Sequence, residues 1–141
     1  MKNWEDITST SELLAAQEIK QSFDAGDLAD VEYGLNQLIE TMARSERRAL
    51  KSQLIRLMMH VIKWKVQPEK RSKSWLLTIL NARFEIAELR EFTPSLNEDV
   101  IQAIWEAALK QARTEANIDT DLPTNHVELT WEDVFDTKYT L

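Results

Sequence analysis

Apolar side chains recur at intervals of three and four residues along almost the whole chain, which is the spacing of one face of an α-helix. Glycine occurs twice and proline three times in 141 residues, so few positions interrupt this pattern. The pattern predicts an all-α protein: a single domain of residues 1–141 that folds as a helical bundle of four to six helices. Residues 118–141 are less regular and are expected to form a tail, in which Thr130 caps a short turn at Trp131 to Phe135.

The first helix of the sequence pattern begins near Ser9, because Ser9 and Glu12 have the spacing of a capping box. Gly26 is the expected stop, since glycine adopts the conformation that ends many helices. Asp27 can then cap the next helix. The predicted apolar side of the first helix consists of Leu13, Ala16, Ile19 and Phe23.

A long central helix carries the longest apolar stripe. Neither proline nor glycine occurs from Leu35 to Val66, and at about 100° per residue the stripe stays on one side of the helix. Two alternatives remain open: one continuous helix, or a kink or short break near residues 43–46, where Ser45 could cap a new helix. Gln67-Pro68 ends the helix, because proline disfavours helical geometry in the preceding residue. The stripe consists of Leu35, Ile39, Met42, Leu50, Leu54, Leu57 and Val61.

Two more helices follow. Ser72 or Ser74 can cap the first of them. The second starts either at Thr93-Pro94 or at the capping box formed by Ser95 and Glu98. Their predicted apolar sides are formed by Trp75, Leu76, Ile79, Leu80, Phe84, Ile86 and Ala87, and by Val100, Ile101, Ile104, Trp105, Ala108, Leu109 and Ala112.

Charge is distributed unevenly along the chain. Residues 44–75 contain ten basic and two acidic side chains, although the whole chain has a net charge of −7. Such a region can be an anion-binding surface, or a cationic face whose charges are met by carboxylates from other segments. We interpret it chiefly as scaffold, because charge runs are usually solvated or internally paired faces. A calculated pI near 4.9 is also unlike that of most nucleic-acid binders.

A nucleic-acid or phosphate-binding protein is one alternative. Basic residues beside aromatic rings suit such a role, since cations contact phosphates and the rings stack on bases. On a helical wheel, however, Arg44, Arg47 and Arg48 lie on the opposite flank of the apolar stripe from Lys63. The candidate residues are Arg44, Arg47, Arg48, Lys63, Trp64, Arg71, Lys73 and Trp75.

An enzyme with His60 as general base is a second alternative. Arg56 precedes His60 by one helical turn and could bind an anion beside it. The simpler interpretation is a packed histidine with a hydrogen-bonding role.

Arg83 falls within an apolar stripe, where a charge is costly unless it is paired. Glu40 is the candidate partner, and the pair would serve as a structural buried charge that sets helix register. Trp105 and Trp131 are interpreted as core anchors.

The chain contains no cysteine, which excludes disulfides and thiolate metal ligands. Its two histidines, His60 and His126, lie far apart, so we expect neither a metal nor another cofactor. The first residues do not resemble an export signal, and no apolar run approaches the roughly 20 residues that span a bilayer. We therefore expect a cytoplasmic protein that does not associate with membranes.

Several short motifs are similar to one protein family. They include the run from Arg44 to Leu50, the run from Leu57 to Trp64, Gln67-Pro68 and Ser72 to Trp75, followed by Thr78-Ile79, Arg83, Pro94 to Leu96, Leu122-Pro123 and Thr130 to Val134. In these motifs the chain resembles a bacterial family called domain of unknown function twenty-nine, common in cyanobacteria. The resemblance covers the chain from about residue 30 to its end, whereas residues 1–29 match poorly. It implies a small helical fold and no assigned activity.

The expected function is therefore non-enzymatic. We predict an interaction module whose partner is another protein or a second copy of the same chain, with the two alternatives above kept open.

Overall fold

The structure is a computed structural model that describes residues 2–141. The described residues form five α-helices and no strand, which confirms the predicted all-α class with four to six helices. The α-helices are α1 (Trp4–Thr10), α2 (Glu12–Asp24), α3 (Leu28–Val66), α4 (Lys73–Phe92) and α5 (Glu98–Thr120); a 3-10 turn at Pro68–Lys70 and a π-helical turn at Glu132–Asp136 complete the elements.

Helix α3 runs from Leu28 to Val66 without interruption. The prediction of a long central helix is thus confirmed, and the alternative of a break near residues 43–46 is wrong. Ser45 is an exposed position inside the helix rather than a cap. Gln67-Pro68 ends α3 as predicted.

The chain is divided into two compact units, an N-terminal unit up to Arg47 and a C-terminal unit from Arg48 to Leu141. Each unit has buried residues of its own, among them Trp4 in the first and Leu50 in the second. The single-domain organisation of the sequence analysis stays a prediction.

The N-terminal unit contains a helix that the sequence analysis missed. Asn3 caps α1 by accepting a hydrogen bond from the backbone N–H of Asp6. Ser9, the predicted cap of the next helix, lies within α1 and donates its hydroxyl to the carbonyl of Glu5. Ser11 caps α2 instead, because its side chain accepts from the N–H of Leu14.

Packing in the N-terminal unit depends on the missing side chain of Gly34. A Cβ at this position would lie 2.9 Å from Trp4 and 2.9 Å from Ile19. The glycine therefore lets α3 approach both side chains closely. Of the predicted apolar side of α2 only Ile19 is buried; Leu13, Ala16 and Phe23 are exposed, so that prediction was wrong for these three.

The C-terminal unit holds the larger core. Leu50, Leu54, Leu57 and Val61 on α3 are fully buried, as the stripe predicted. The predicted apolar side of α5 is buried or packed against the same core, whereas Leu80, Phe84 and Ala87 on α4 are exposed, contrary to prediction. Trp105 and Trp131 are partly buried against the core and stack with ring centroids 5.9 Å apart.

Side-chain caps define the ends of α4 and α5. Ser72, one of the two predicted candidates, caps α4. Both predicted starts of α5, at Thr93 and at Ser95, were wrong. Asn97 caps α5, because its side chain accepts from the N–H of Val100. Thr93 instead ends α4. Helix α5 ends at Thr120, so it includes residues 118–120, which were predicted to belong to the less regular tail.

The tail is held by arginines that donate to main-chain carbonyls. Arg83 donates to the carbonyls of Val134 and Thr137, each at 2.8 Å. Arg113 donates to the carbonyl of Val127 at 2.8 Å. The predicted cap Thr130 is present: its hydroxyl accepts from the N–H of Asp133, and the Asp133 carboxylate accepts from the N–H of Thr130.

Candidate functional site

A hydrogen-bonded network in the N-terminal unit orients α3. The buried carboxylate of Asp30 accepts from Nε1 of Trp4 at 2.6 Å and from the hydroxyl of Ser22 at 2.8 Å. Lys2 donates to the hydroxyl of Ser22 at 3.0 Å and pairs with Glu18 at 3.0 Å. The hydrogen bonds from Trp4 and then Ser22 lower the pKa of Asp30, because both stabilise its ionised form. Residues from three segments are thereby joined around one carboxylate.

The network determines which side of α3 is covered. Asp30 and Gly34 lie on the packed side, beneath Trp4 and Ile19. At about 100° per residue, Leu35, Ile39 and Met42 project well away from that side. Their exposed fractions are 44%, 62% and 42%.

These residues form a continuous exposed face of α3 in the N-terminal unit. We call it the α3 stripe. It consists of Leu28, Leu35, Ile39 and Met42, and it differs from the longer stripe predicted from the sequence, which continues to Val61. Leu28 is 65% exposed. The sequence analysis predicted Leu35, Ile39 and Met42 as buried positions, and the structure corrects this. Helical periodicity identifies the apolar side of a helix, but it does not reveal whether another element covers that side.

Acidic residues accompany the α3 stripe. Glu32 and Glu46 fall on the same side of the helix by their spacing from Leu35 and Ile39. The first 47 residues contain four basic and ten acidic side chains, so this part of the sequence carries −6 of the total charge of −7. The exposed apolar side chains therefore lie in a negative electrostatic environment.

Three of the predicted anion-binding residues, Arg44, Arg47 and Arg48, are exposed. Between residues 2 and 141 none of them has a carboxylate oxygen within 4 Å, as an ion pair would require. The expectation that flanking carboxylates would neutralise the basic segment does not hold for these three side chains. Arg44 and Arg47 belong to the N-terminal unit and Arg48 to the C-terminal unit.

Lys63, near the end of α3, and Arg71, in the loop that follows it, have internal partners. Lys63 is buried, pairs with Asp119 at 2.5 Å and lies 4.6 Å from the ring centroid of Trp75. Arg71 donates Nε to the carbonyl of Trp64 at 2.8 Å and also lies over the Trp64 ring. Both tryptophans are thus in contact with the protein's own cations.

The eight residues of segment 44–75 that were predicted to bind nucleic acid or phosphate therefore differ in exposure. Lys73 is exposed, as are Arg44, Arg47 and Arg48. Lys63 and Trp64 are buried, and Trp75 is partly buried. Buried side chains cannot contact a nucleic acid without rearrangement, so the eight residues do not present one common surface.

His60 is partly buried, and its Nδ1 lies 2.9 Å from the carbonyl oxygen of Arg56. Because the carbonyl can only accept, the ring must carry its proton on Nδ1. Burial lowers the pKa of His60, and the hydrogen bond to Arg56 partly opposes that shift. A shallow groove beside Arg56 is lined by Ser52, Ile55, Met59, Gln111 and Glu115, and His60 is not among its lining residues.

Arg83 is a partly buried charge whose hydrogen-bond partners are main-chain carbonyls of the tail rather than a carboxylate. Glu40, the partner named in the sequence analysis, is an exposed side chain. Three convergent carbonyl dipoles can satisfy a guanidinium without a carboxylate. Burial nevertheless lowers the pKa of Arg83, because the charged form loses hydration.

The sequence analysis also missed Trp4 and Asp30. The signal that could have found them was Gly34, a glycine inside an otherwise good helical stripe, which often marks close approach of another element. Among residues 2–141 no group of three or more histidine, aspartate or glutamate side chains is arranged to hold a metal ion. In the same range no helix combines the length and apolar character needed to cross a membrane.

The structure defines the class of this protein: an all-α helical protein with one continuous helix of 39 residues. The chain belongs to the family described as Domain of unknown function DUF29, whose model matches residues 8–140. The match begins well before residue 30, so it includes most of the segment that the sequence analysis left outside the family. Comparison with curated proteins and with solved structures gives no significant match.

Proposed function

We propose that this chain is a cytoplasmic, non-enzymatic interaction module that binds a protein partner through the α3 stripe. The partner surface would be an apolar ridge flanked by lysine or arginine side chains. One observation carries the proposal: Leu35, Ile39 and Met42 are 44%, 62% and 42% exposed although they occupy one face of a continuous helix.

The physical argument begins with the cost of exposing apolar surface. Removing such surface from water contributes about 25 cal/mol per Å², so several large side chains on one face favour association. Monomeric proteins rarely expose contiguous apolar patches larger than a few hundred Å². The spacing of four and three residues from Leu35 through Ile39 to Met42 is also that of an apolar helix face that packs against another amphipathic helix.

Charge determines which partner chemistry fits. Glu32 and Glu46 lie beside the α3 stripe, and the surrounding sequence has a strong excess of carboxylates. A basic rim on the partner would be attracted to these carboxylates, whereas an acidic rim would be repelled. Such attraction acts mainly on the association rate and weakens with added salt.

The test uses two defined peptides. Both are amphipathic helical 18-residue peptides with leucine on one face, and the polar face is lysine in one and glutamate in the other. We expect the protein to bind the lysine peptide, and Ile39→Asp to weaken that binding at least tenfold. Fluorescence anisotropy at low and high salt measures both effects.

Tyr33→Asp is the matched control, because Tyr33 is exposed on the same helix but lies on another side from the α3 stripe. This variant should bind the lysine peptide as the unchanged protein does. Equal affinity for the two peptides, or equal weakening by Tyr33→Asp and Ile39→Asp, would contradict the proposal. A pull-down from the native host with the same variants would then identify the natural partner.

A nucleic-acid or phosphate-binding function is the second candidate, and one observation favours it: Arg44, Arg47 and Arg48 are exposed without carboxylate partners in the described chain. Against it stand the buried Lys63 and Trp64, which nucleic acid would need to reach. Salt-dependent binding of oligonucleotides is the measurement that separates it from the first candidate.

A further inference from the structure

Helix α4 of the C-terminal unit has a second exposed apolar face. Its core side is formed by Ile79, Ala82 and Ile86, which are almost completely buried. On the opposite side Leu77, Leu80 and Phe84 are 57%, 48% and 61% exposed. At about 100° per residue these three side chains fall within an arc of roughly 60°.

The exposed face of α4 continues in both directions with a regular spacing. Lys73 lies four residues before Leu77, Ala87 lies three residues after Phe84, and Glu91 lies four residues further on. All of these positions are exposed. The alternating spacing of four and three residues is that of the a and d positions of a coiled coil. We call Lys73, Leu77, Leu80, Phe84, Ala87 and Glu91 the α4 seam.

The α4 seam is complementary to itself when its direction is reversed. Inversion about Ala82 places Lys73 opposite Glu91, Leu77 opposite Ala87, and Leu80 opposite Phe84. Every pair then joins opposite charges or two apolar side chains. A two-fold axis through the middle of α4 would generate all of these pairs twice, as an isologous interface requires.

We propose that α4 is a homodimerisation surface, on which the α4 seam of a second copy of this chain packs in the antiparallel direction. Lys73 and Glu91 have no ion-pair partner within 4 Å in residues 2–141, so both are free to pair across the interface. A parallel arrangement would instead place Lys73 against Lys73 and Glu91 against Glu91, and like charges in register are unfavourable.

The size of the α4 seam limits the strength of the dimer. It spans nineteen residues from Lys73 to Glu91, which corresponds to about 27 Å between the two ends at 1.5 Å per step. A single helix pair of this length lies at the small end of specific interfaces, so we expect a reversible dimer with a dissociation constant on the order of micromolar. This surface is distinct from the α3 stripe and does not depend on the proposed function.

Charge reversal tests the pairing of Lys73 with Glu91. Sedimentation velocity over a range of concentrations should show a dimer for the unchanged protein. Lys73→Glu and Glu91→Lys should each raise the dissociation constant about tenfold, and the two changes combined should restore it. Glu85→Lys is the matched control, because Glu85 is exposed on α4 but lies outside the α4 seam, and it should leave the dimer unchanged.

Single cysteines test the direction of the second copy, since the chain has none of its own. Asn81→Cys lies beside the expected two-fold axis, and a bismaleimide that spans about 8–10 Å, the distance between packed helix axes, should cross-link its two copies. Ser74→Cys should not be cross-linked, because antiparallel packing separates the two copies of residue 74 by about 24 Å along the helix. A parallel dimer would link both variants.

Three results would overturn the proposal. They are a protein that stays monomeric at several hundred micromolar, a double charge reversal that fails to restore the dimer, and equal cross-linking of Ser74→Cys and Asn81→Cys. Ile39→Asp should leave the dimer intact, so loss of peptide binding and loss of dimerisation are distinguishable.

Discussion

Nε1 of Trp4 donates a hydrogen bond of 2.6 Å to the carboxylate of Asp30, a residue that follows it by 26 positions. The bond joins α1 to α3, and the hydroxyl of Ser22 adds a contribution from α2. A single carboxylate therefore connects all three helical segments of the N-terminal unit. Stability of that unit should depend on the ionisation of Asp30.

Acid should weaken the N-terminal unit through Asp30. Its pKa in the folded protein lies below the ordinary 3.8, chiefly because of the hydrogen bond from Trp4. The folded state then binds fewer protons than the unfolded state, so the stabilisation is complete above the unfolded pKa and is lost as pH falls through the folded pKa. Thermal unfolding measured between about pH 6 and pH 2 should show this loss, and Asp30→Asn should flatten the dependence. An equally steep profile in the variant would show that other carboxylates are responsible.

Gly34→Ala should destabilise the protein although alanine is the better helix former. On propensity alone the change would stabilise by about 1 kcal/mol. Here the new methyl group would lie 2.9 Å from Trp4 and Ile19, and overpacking of this kind typically costs about 1–3 kcal/mol. Chemical denaturation of Gly34→Ala and of the unchanged protein shows directly whether the free energy of unfolding falls or rises. Asn36→Ala at an exposed position of the same helix provides the control and should be neutral or slightly stabilising.

Replacing Arg83 should release the tail. Arg83→Met keeps much of the side-chain volume but removes donors to the carbonyls of Val134 and Thr137. These hydrogen bonds are partly buried, and loss of a hydrogen bond to a charged group costs about 1.5–3 kcal/mol before relaxation and solvent access reduce the effect. We expect amide hydrogen exchange in residues 132–139 to be faster in Arg83→Met than in the unchanged protein. Exchange in α5 should increase less. Exposed Lys138→Met is the control, and an unchanged exchange pattern in Arg83→Met would argue against this role.

Binding to oligonucleotides tests the second candidate function. Trp64 is buried, and Arg71 and Lys63 each occupy one ring face of Trp64 and Trp75, respectively. We therefore expect no salt-dependent binding of single-stranded DNA or RNA. The affinity of a protein that binds through phosphate contacts would fall steeply as salt is added. Tight, salt-sensitive binding that the double change Arg47→Glu and Arg48→Glu abolishes would establish the alternative instead.

Local signals in the sequence predicted much of the fold. The periodicity of apolar residues predicted the helical class, and the absence of proline and glycine from Leu35 to Val66 favoured the continuous helix that the structure contains. Ser72 and Thr130 were correctly predicted as caps because each choice depends on neighbouring backbone groups only. Ser9 failed because a competing helix, α1, already included it.

The rest could not be predicted because it depends on contacts between residues distant in sequence. Burial of Trp4 requires Asp30 and Gly34, and no local pattern links these positions. The exposed α3 stripe and α4 seam have the same periodicity as a core-facing helix. Whether such a face is covered depends on the three-dimensional arrangement of other elements, which periodicity does not contain.

Three arginines of the C-terminal unit use acceptors that every amino acid supplies. Arg83, Arg90 and Arg113 donate to the carbonyls of Val134, Leu96 and Val127, whose oxygens exist whatever side chain occupies those positions. Substitution of an acceptor residue can therefore leave its hydrogen bond to the arginine intact, as long as the backbone keeps its path. On the donor side the constraint is strict, because lysine cannot reproduce the planar fork of a guanidinium. Related sequences should accordingly retain arginine at these three positions, whereas the acceptor residues should change only to other side chains that fit the core, because Val134, Leu96 and Val127 are buried.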